Sequence, residues 1–266
     1  MAKYTNRFVL LAVIGGVTAT AACAAGGLYL LSRSNEQWEP VPPIVAPASK
    51  PAAPPADALV LFDGTDLSQW VASRDKGPAG WIVADGVVTV NKASGNIETR
   101  RKFRNFQLHI EWRVPANITG SGQGRGNSGV FLASTGANGK GGDAGYEVQI
   151  LDAWRNPTYV NGMAGAIYKQ RAPLANPARP PGEWQSYDIA WTAPVFAAGG
   201  ALESPARVTV RFNGVLVQDD FALLGETKFI GKPSYKAHGP APIMLQAHGD
   251  PSEPLSFRNI WVREVR

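Results

Sequence analysis

The chain has 266 residues, of which 44% are hydrophobic and 18% are charged, and its formal net charge is +5. This composition is enough for one sizeable hydrophobic core. Lys and Arg are scattered, without a basic run or basic helix, so the sequence predicts no nucleic-acid partner. Cys23 is the single cysteine, which excludes a disulfide, a thiolate nucleophile and a cysteine-based metal site from the remainder of the chain.

Residues 1–33 have the pattern of a signal or anchor segment. Lys3 and Arg7 precede an uncharged stretch over residues 8–31, which is long enough to cross a bilayer as a helix. Basic residues before such a span keep the N-terminus in the cytoplasm. We therefore expect the rest of the protein to be extracytoplasmic, in the periplasm, and anchored to the inner membrane by residues 8–31.

The fate of this segment has two alternatives. A signal peptidase would cleave near the Ala-rich stretch at residues 19–25, or Cys23 would carry the lipid of a lipoprotein. Thr20 stands where lipoprotein signals usually have an aliphatic residue, and the segment stays apolar beyond Cys23. These features favour an uncleaved anchor.

Residues 34–58 are predicted to be a linker. From residue 40 to residue 58 the sequence reads PVPPIVAPASKPAAPPADA, a Pro/Ala-rich composition that does not pack and favours a semi-extended spacer. We expect this spacer to hold the following domain away from the membrane.

A single domain is predicted from residue 59 to residue 266. Short alternating runs divided by Gly, Asn, Asp and Pro have the spacing of an all-β sandwich. Asp85-Gly86 and Asn213-Gly214 are the strongest hairpin turns, because both place Gly where a positive φ is needed. The predicted strands are, in chain order, 81–83, 87–90, 106–114, 128–133, 146–151, 184–191, 206–212, 215–219, 243–248 and 257–265.

Two of these strands have a polar face. One is YEVQILD, in which alternation puts Glu147 and Gln149 opposite aliphatic residues; the other is IMLQAHG, in which Gln246 and His248 share a face. An ordinary amphipathic strand is the alternative interpretation. A carboxylate and carboxamides suit the floor of a polar cleft, so we expect the two strands to meet over one.

Long loops are predicted beside these strands, at residues 116–127, 136–145 and 154–181. Loops of this length in a compact domain usually form functional lids or rims. We therefore expect them to border the cleft.

Seven strings in the domain together resemble one family. They are LFDGTDLSQW (61–70), NSGVFL (127–132), YEVQILD (146–152), GAIY (165–168), GEWQSYDI (182–189), ARVTVRFNGVLV (206–217) and FRNIWVREV (257–265). Each string alone is weak, but seven in register are specific, and they resemble the 3-keto-disaccharide hydrolase domain family over essentially all of residues 59–266. Two positions depart from the family pattern: Ala247, where Asp is common, and Phe212, where His is common.

The resemblance implies a concanavalin A-like jelly-roll β-sandwich, related in shape to lectins and laminarinase-type glucanases. It also implies an extracytoplasmic enzyme that cleaves glycosides whose sugar already carries a ketone at C3. The competing hypothesis is a non-catalytic, lectin-like carbohydrate-binding module anchored at the membrane. A carbohydrate is the expected ligand under both hypotheses.

The polar strand favours chemistry with one carboxylate. Retaining glucanases of this shape carry two carboxylates about 5 Å apart on one strand face, whereas here the face of Glu147 and Gln149 continues with Leu151. A 3-keto sugar needs only one base, because the ketone acidifies the C2 proton and a donor or cation stabilises the enolate. The anomeric substituent then leaves by β-elimination, and later addition of water gives net hydrolysis.

The candidate catalytic residues are Glu147, His248 and Lys169. Glu147 or His248 would be the base, and the other would donate a proton or bind a divalent cation, with Asp152 as a further ligand. No cofactor is certain from the sequence. Lys169 or Arg258 would stabilise the oxyanion, although long cations also cover sheet surfaces. The candidate substrate-binding residues are Asn127, Gln149, Asp152, Trp154, Tyr168, Gln246 and Arg258. Most other tryptophans are predicted to be in the core.

Overall fold

The computed structural model describes residues 31–47, 53–137 and 143–265. The predicted anchor at residues 8–31 lies outside the described residues except for its last position. Within the described ranges, no helix is long and apolar enough to cross a membrane. Short 3-10 turns occur at Lys92–Ser94, Gly122–Gly124 and Val160–Gly162.

Two antiparallel sheets form the domain in the described part of the chain, with strands numbered here in chain order. The larger sheet has eight strands, in the order β13 (Val215–Ala222), β12 (Arg207–Phe212), β9 (Gln185–Thr192), β6 (Phe106–Arg113), β15 (Ser256–Glu264), β4 (Val87–Thr89) and β3 (Ile82–Ala84), with β1 (Leu59–Phe62) beside β15. The smaller sheet has five strands, in the order β2 (Trp70–Ala72), β5 (Ile97–Thr99), β14 (Met244–Leu245), β7 (Ser128–Ala137) and β8 (Asp143–Ile150). A separate ribbon pairs β10 (Val195–Phe196) with β11 (Leu202–Ser204).

The hydrophobic core lies between the two sheets. The even-numbered residues of β6 and β8 are buried there, so each strand gives one face to the core and its other face to the outside. The rings of Tyr146 and Trp191 lie 5.2 Å apart across the core, and the Tyr187 hydroxyl donates a 2.7 Å hydrogen bond to the Gln149 carbonyl of the other sheet. The predicted all-β sandwich is confirmed.

The hairpin signals were reliable. Asp85 and Gly86 have φ values of 52° and 75°, and Asn213 and Gly214 have values of 49° and 78°. All four angles lie in the left-handed region that the two-residue turns require. These turns join β3 to β4 and β12 to β13, as predicted.

One predicted strand is too long. The strand predicted at 243–248 is present only as β14, so Gln246 and His248 lie in the loop that follows it. The pairing ends because the Ala247 amide donates to the Asn96 side-chain oxygen at 2.8 Å and leaves the sheet. Strands β1, β2, β5, β10 and β11 were not predicted, since they are short and, unlike the equally short β3 and β4, are not marked by an Asp-Gly turn.

Part of the predicted linker packs against the domain. The Val45 amide donates to the Asn176 carbonyl at 3.3 Å, and the Asn176 amide donates to the Pro43 carbonyl at 2.8 Å. The prediction of an unpacked spacer over residues 40–58 is therefore wrong for residues 43–45. Proline removes backbone donors but keeps its carbonyl, which a neighbouring segment can still bind.

The long loop at 154–181 extends the smaller sheet. The Gly165 amide donates to the Gln149 carbonyl at 3.0 Å, and the Gln149 amide donates to the Ala166 carbonyl at 2.9 Å. Farther along, the Tyr168 amide donates to the Glu147 carbonyl at 3.2 Å. Residues 165–168 therefore lie along β8 on the side away from β7.

Candidate functional site

The outer face of the five-stranded sheet carries a row of side chains that includes the predicted base. Glu98 of β5 is in register with Met244 of β14, Met244 with Phe131 of β7, and Phe131 with Glu147 of β8. Tyr168 lies beside Glu147 at the end of the row. Residues in register on neighbouring strands point to the same side of a sheet. We call these five residues the polar row.

Glu147 lies low on this face, with an exposed fraction of 5%. A Cβ atom added to Gly129 on the neighbouring strand would stand 2.5 Å from Glu147 Oε1. Glycine at position 129 therefore leaves the space that the Glu147 carboxylate occupies. The Glu147 amide donates to Thr227 Oγ1 at 3.1 Å, which helps to fix the backbone at this point.

Two tyrosines lie beside Glu147. The hydroxyls of Tyr159 and Tyr168 are 2.8 Å apart and share a hydrogen bond. Burial raises the pKa of Tyr159 to about 12, with the nearby carboxylates of Glu36 and Glu147 adding to the rise. Burial also raises the pKa of Tyr168. Both hydroxyls consequently stay protonated at neutral pH and can donate hydrogen bonds.

Lys169 follows directly and is held by backbone carbonyls. Its Nζ donates to the Ser32 carbonyl at 2.5 Å and to the Phe229 carbonyl at 2.9 Å, and it lies 4.5 Å from the centre of the Phe229 ring. Burial lowers the pKa of Lys169, which the Glu36 carboxylate opposes. An ammonium group has three protons, so one donor position remains beyond these two carbonyls.

A carboxamide cluster lies next to Glu147 on the same face. Gln149 Nε2 donates to Asn127 Oδ1 at 3.0 Å, and Asn127 Nδ2 donates to the Gln123 carbonyl at 2.9 Å. Within the described residues, Gln149 Oε1 is buried and accepts no hydrogen bond. A buried acceptor of this kind is costly unless a ligand donates to it, so it suits a sugar hydroxyl.

The second predicted base, His248, does not stand in the polar row. It lies four residues beyond Met244, and a strand advances about 3.3 Å per residue. Its Nδ1 is 3.1 Å from Asp250 Oδ2, which also lies 3.3 Å from Lys92 Nζ. Burial raises the pKa of Asp250, but hydrogen bonds from His248 and Ser252 outweigh it and lower the value to about 2. His248 is thus hydrogen-bonded within the loop that follows β14, which also contains the partly buried Gln246.

Asp152 holds the loop that follows β8. Its Oδ2 lies 2.7 Å from Arg125 Nη2, and its Oδ1 accepts the Trp154 amide at 2.9 Å. Burial raises the pKa of Asp152, although both contacts oppose the shift. Trp154 is half-buried beside Arg155. The structure therefore gives Asp152 an anchoring role at the edge of the site.

Arg258 lies on the other sheet, apart from the polar row, so the structure does not bring it together with the other predicted site residues. It belongs to β15 of the eight-stranded sheet, where its Nε donates to Glu111 Oε2 at 2.6 Å. Its guanidinium also stacks on the Trp184 ring at 4.1 Å. No local pattern in the sequence indicates which sheet β15 joins.

Glu98 is a polar-row residue that sequence reasoning missed. Ser73 Oγ donates to Glu98 Oε2 at 2.9 Å, and Lys76 Nζ donates to Glu98 Oε1 at 2.7 Å. Three strand spacings separate Glu98 from Glu147, or about 14 Å. This exceeds the separation of roughly 5 to 9.5 Å that two-carboxylate glycosidases need. Sequence reasoning missed Glu98 because β5 has only three residues, too few to show an alternating pattern.

Neither departure from the family pattern removes a side chain from the polar row. Phe212 is fully buried in the core, with its ring 5.1 Å from that of Tyr187. Ala247 is partly buried and packs against the same core.

Metal binding gains no support from the arrangement of ligands. The described residues contain no group of three or more His, Cys, Asp or Glu side chains that could hold a metal ion together. Glu147, His248 and Asp152, the ligands considered for a divalent cation, are therefore not gathered into one such group.

Comparison with known families gives a match over most of the chain. A family model described as a 3-keto-alpha-glucoside-1,2-lyase-like domain matches residues 57–263. A curated relative, the 3-keto-disaccharide hydrolase of Bacteroides thetaiotaomicron, is 26% identical in an alignment 163 residues long that covers 51% of this chain. The match covers 53% of that relative, so the chain spans about half of its length.

Solved structures from Parabacteroides distasonis share the fold. A candidate glycosyl hydrolase is 53% identical to this chain, with a TM-score of 0.75 and coverage of 86% of this chain and 94% of the other. A second candidate glycosyl hydrolase is 21% identical, with a TM-score of 0.57 and coverage of 79% and 94%. The second likeness concerns the fold alone.

Proposed function

The chain belongs to the 3-keto-alpha-glucoside-1,2-lyase-like domain family, and on that premise we propose that it cleaves glycosides whose sugar carries a ketone at C3. A glycosyl hydrolase-like protein is the coarser assignment that the relatives support. The observation that carries the finer proposal is the placement of Glu147. It lies between the carboxamide cluster and a protonated Tyr168, and about 14 Å from Glu98 by strand spacing.

In the proposed reaction Glu147 is the base. It removes the proton from C2, which the neighbouring C3 ketone acidifies, and the electron pair forms an enolate. The enolate collapses with formation of the C1–C2 double bond and cleavage of the C1–O bond, and the leaving oxygen takes a proton. Water then adds across the double bond, which restores the sugar and gives net hydrolysis.

Hydrogen-bond donors beside Glu147 would stabilise the charge that develops on the C3 oxygen. Tyr168 is protonated at neutral pH, and the third ammonium proton of Lys169 is not used by the carbonyls of Ser32 and Phe229. Donors held in a site that excludes water are effective because they need little reorganisation. We assign Tyr168 as the main donor and Lys169 as its cationic neighbour.

Substrate binding is assigned to the carboxamide cluster. Gln149 Oε1 would accept a sugar hydroxyl, and Asn127 holds the Gln149 amide in place. Gln246 lies across Gly129 from Gln149, since the Gln246 amide donates to the Gly129 carbonyl at 3.0 Å. These groups would bind hydroxyls on the side of the sugar away from Tyr168.

We also propose that the reaction takes place outside the cytoplasm, at the inner membrane. The support is the sequence pattern of residues 1–33, with basic residues ahead of a long uncharged stretch. Fractionation of a bacterium that expresses the full chain, followed by protease treatment of spheroplasts, tests this location. Protection of the domain from protease would contradict it.

A substrate comparison tests the reaction. The full chain is incubated in heavy water with a 3-keto-glucoside and, separately, with the unoxidised parent glucoside. We expect cleavage of the oxidised substrate alone, with deuterium at C2 of the released sugar. Cleavage of the parent at an equal rate would contradict the proposal, and sugar binding without any turnover would favour a lectin-like module.

A further inference from the structure

A segment outside the family match contributes to the candidate site. Residues 32–38, here called the strap, precede the matched region, which begins at residue 57. The strap lies against Tyr159, Asn161 and Lys169, the residues next to the end of the polar row. The strap therefore lies outside the part of the chain that the family model matches, although the residues that it contacts lie inside that part.

Asn161 binds the strap backbone through both halves of its carboxamide. Its Oδ1 accepts the Gln37 amide at 2.9 Å, and its Nδ2 donates to the Asn35 carbonyl at 2.9 Å. The Val160 amide donates to the Gln37 carbonyl as well. Asn161 is only 4% exposed, so without the strap both of its polar atoms would lose their partners.

Lys169 and Tyr159 hold the two ends of the strap. Lys169 Nζ donates to the Ser32 carbonyl at 2.5 Å, and the Trp38 ring meets the Tyr159 ring edge-on with centroids 6.2 Å apart. Between them, the Glu36 side chain is largely buried and 3.5 Å from Arg33. The strap is therefore fixed along its length by buried polar groups and by an aromatic contact.

We propose that the strap is the end wall of the cleft and restricts it to glycosides whose oxidised sugar is the terminal unit. The reason is position: Tyr168 ends the polar row, its hydroxyl bonds to Tyr159, and the strap covers Tyr159 and Lys169 immediately beyond. On that side, a further unit attached to a sugar over Glu147 would meet the strap. The proposed selectivity depends on the proposed function of Glu147.

Two substitutions of Gln37 distinguish the effect of releasing the strap from the effect of losing the Gln37 side chain. Gln37→Pro removes the amide that donates to Asn161 without changing the domain. Gln37→Ala is the matched control, because it keeps that amide and deletes only a side chain that bonds to the Glu39 carbonyl just beyond the strap. Asn161→Ala breaks the same contacts from the domain side.

Docking is measured by hydrogen exchange and by acetylation of Lys169 with an amine-reactive reagent, followed by mass spectrometry of the full chain. In the unmodified chain we expect protected amides in the strap and little acetylation of Lys169. Gln37→Pro and Asn161→Ala should raise the exchange rate of the strap amides and the acetylation rate of Lys169 about tenfold. This factor corresponds to a loss of roughly 1.4 kcal/mol in the free energy of docking the strap. Gln37→Ala should resemble the unmodified chain. Rapid exchange of the strap in the unmodified chain would overturn the proposal.

Selectivity is measured with two oxidised glycosides, one with a terminal 3-keto sugar and one extended beyond that sugar at the non-reducing side. We expect the preference for the terminal substrate to fall about tenfold in Gln37→Pro, whether measured as kcat/KM or as Kd by calorimetry. An undocked strap with unchanged preference would overturn the proposal. Absence of turnover in every variant would contradict the proposed function alone, because Kd still measures the preference.

Discussion

The outer faces of the two sheets both bear buried ionisable residues, but they use them differently. On the eight-stranded sheet, His109 Nδ1 lies 2.6 Å from Asp188, and Glu111 accepts hydrogen bonds from Arg258 and Asn259 at 2.6 and 2.8 Å. The His109 ring also stacks on Trp261. On the five-stranded sheet, Glu147 lies beside neutral tyrosines and a carboxamide with an open acceptor.

This difference separates a structural network from the candidate binding site. Charges that satisfy one another stabilise a sheet and leave little for a ligand. Beside Glu147, the protonated tyrosine hydroxyls can donate to a ligand, and Gln149 Oε1 can accept a hydrogen bond from one. Shifted pKa values occur on both faces, so the shifts alone would not have distinguished the site.

The largest effect that we expect is from Glu147→Gln, which removes the base and keeps the shape. Turnover of a 3-keto-glucoside should fall about 10³-fold, measured by release of the leaving group. Glu111→Gln on the other sheet is the control: we expect retained turnover and a loss of about 2 kcal/mol of unfolding free energy, because charge-assisted hydrogen bonds are lost. Retained turnover in Glu147→Gln together with lost turnover in Glu111→Gln would contradict the assignment of the site to the five-stranded sheet.

Gly129→Ala tests the position of the Glu147 carboxylate without changing its chemistry. The new Cβ atom would displace Oε1, so kcat should fall about 100-fold, as misplaced catalytic groups commonly cause. Gly239→Ala is the control, because an added Cβ there meets open space. An unchanged kcat in Gly129→Ala would contradict the proposed role of Glu147.

Gln149→Leu removes the open acceptor of the carboxamide cluster. We expect kcat/KM to fall about tenfold through loss of one hydrogen bond to the sugar. Gln185→Leu is the matched control: the Gln185 carboxamide bonds to Arg179 and Asn213 on the protein itself. That variant should lower the melting temperature and leave KM unchanged, and equal KM effects in both variants would argue against a binding role.

The smallest effect concerns pH and His109. Burial lowers the pKa of His109, but the hydrogen bond that the ring donates to Asp188 and the nearby Glu111 carboxylate outweigh burial and raise the pKa from 6.5 to about 9. The stabilisation from the protonated ring is complete below pH 6.5 and is lost as the pH rises through about 9.

Urea unfolding of the unmodified chain and of His109→Gln measures this contribution. The difference in unfolding free energy should shrink by about 1 kcal/mol between pH 6 and pH 10. A difference that stays constant over this range would show that His109 does not titrate as part of the network.

Most of the fold was predictable from the alternation of apolar and polar residues and from the Asp-Gly and Asn-Gly turns. Glu147 and Gln149 share the outer face, as YEVQILD predicted, because one side of β8 is core. Pairing between distant strands is not encoded locally, so the sequence could not show that Arg258 lies on a different sheet from Glu147, and Glu98 was missed. Residues 43–45 were expected to be free because composition does not reveal that Asn176 binds their backbone.

The pairing of residues 165–168 along β8 has a consequence for the protein at high concentration. A bare edge strand presents a row of free amides and carbonyls on which another copy can add. Here the amides and carbonyls of Glu147 and Gln149, which face away from β7, already have intramolecular partners. The loop segment that carries Tyr168 thus protects this edge of the sheet against self-association into aggregates.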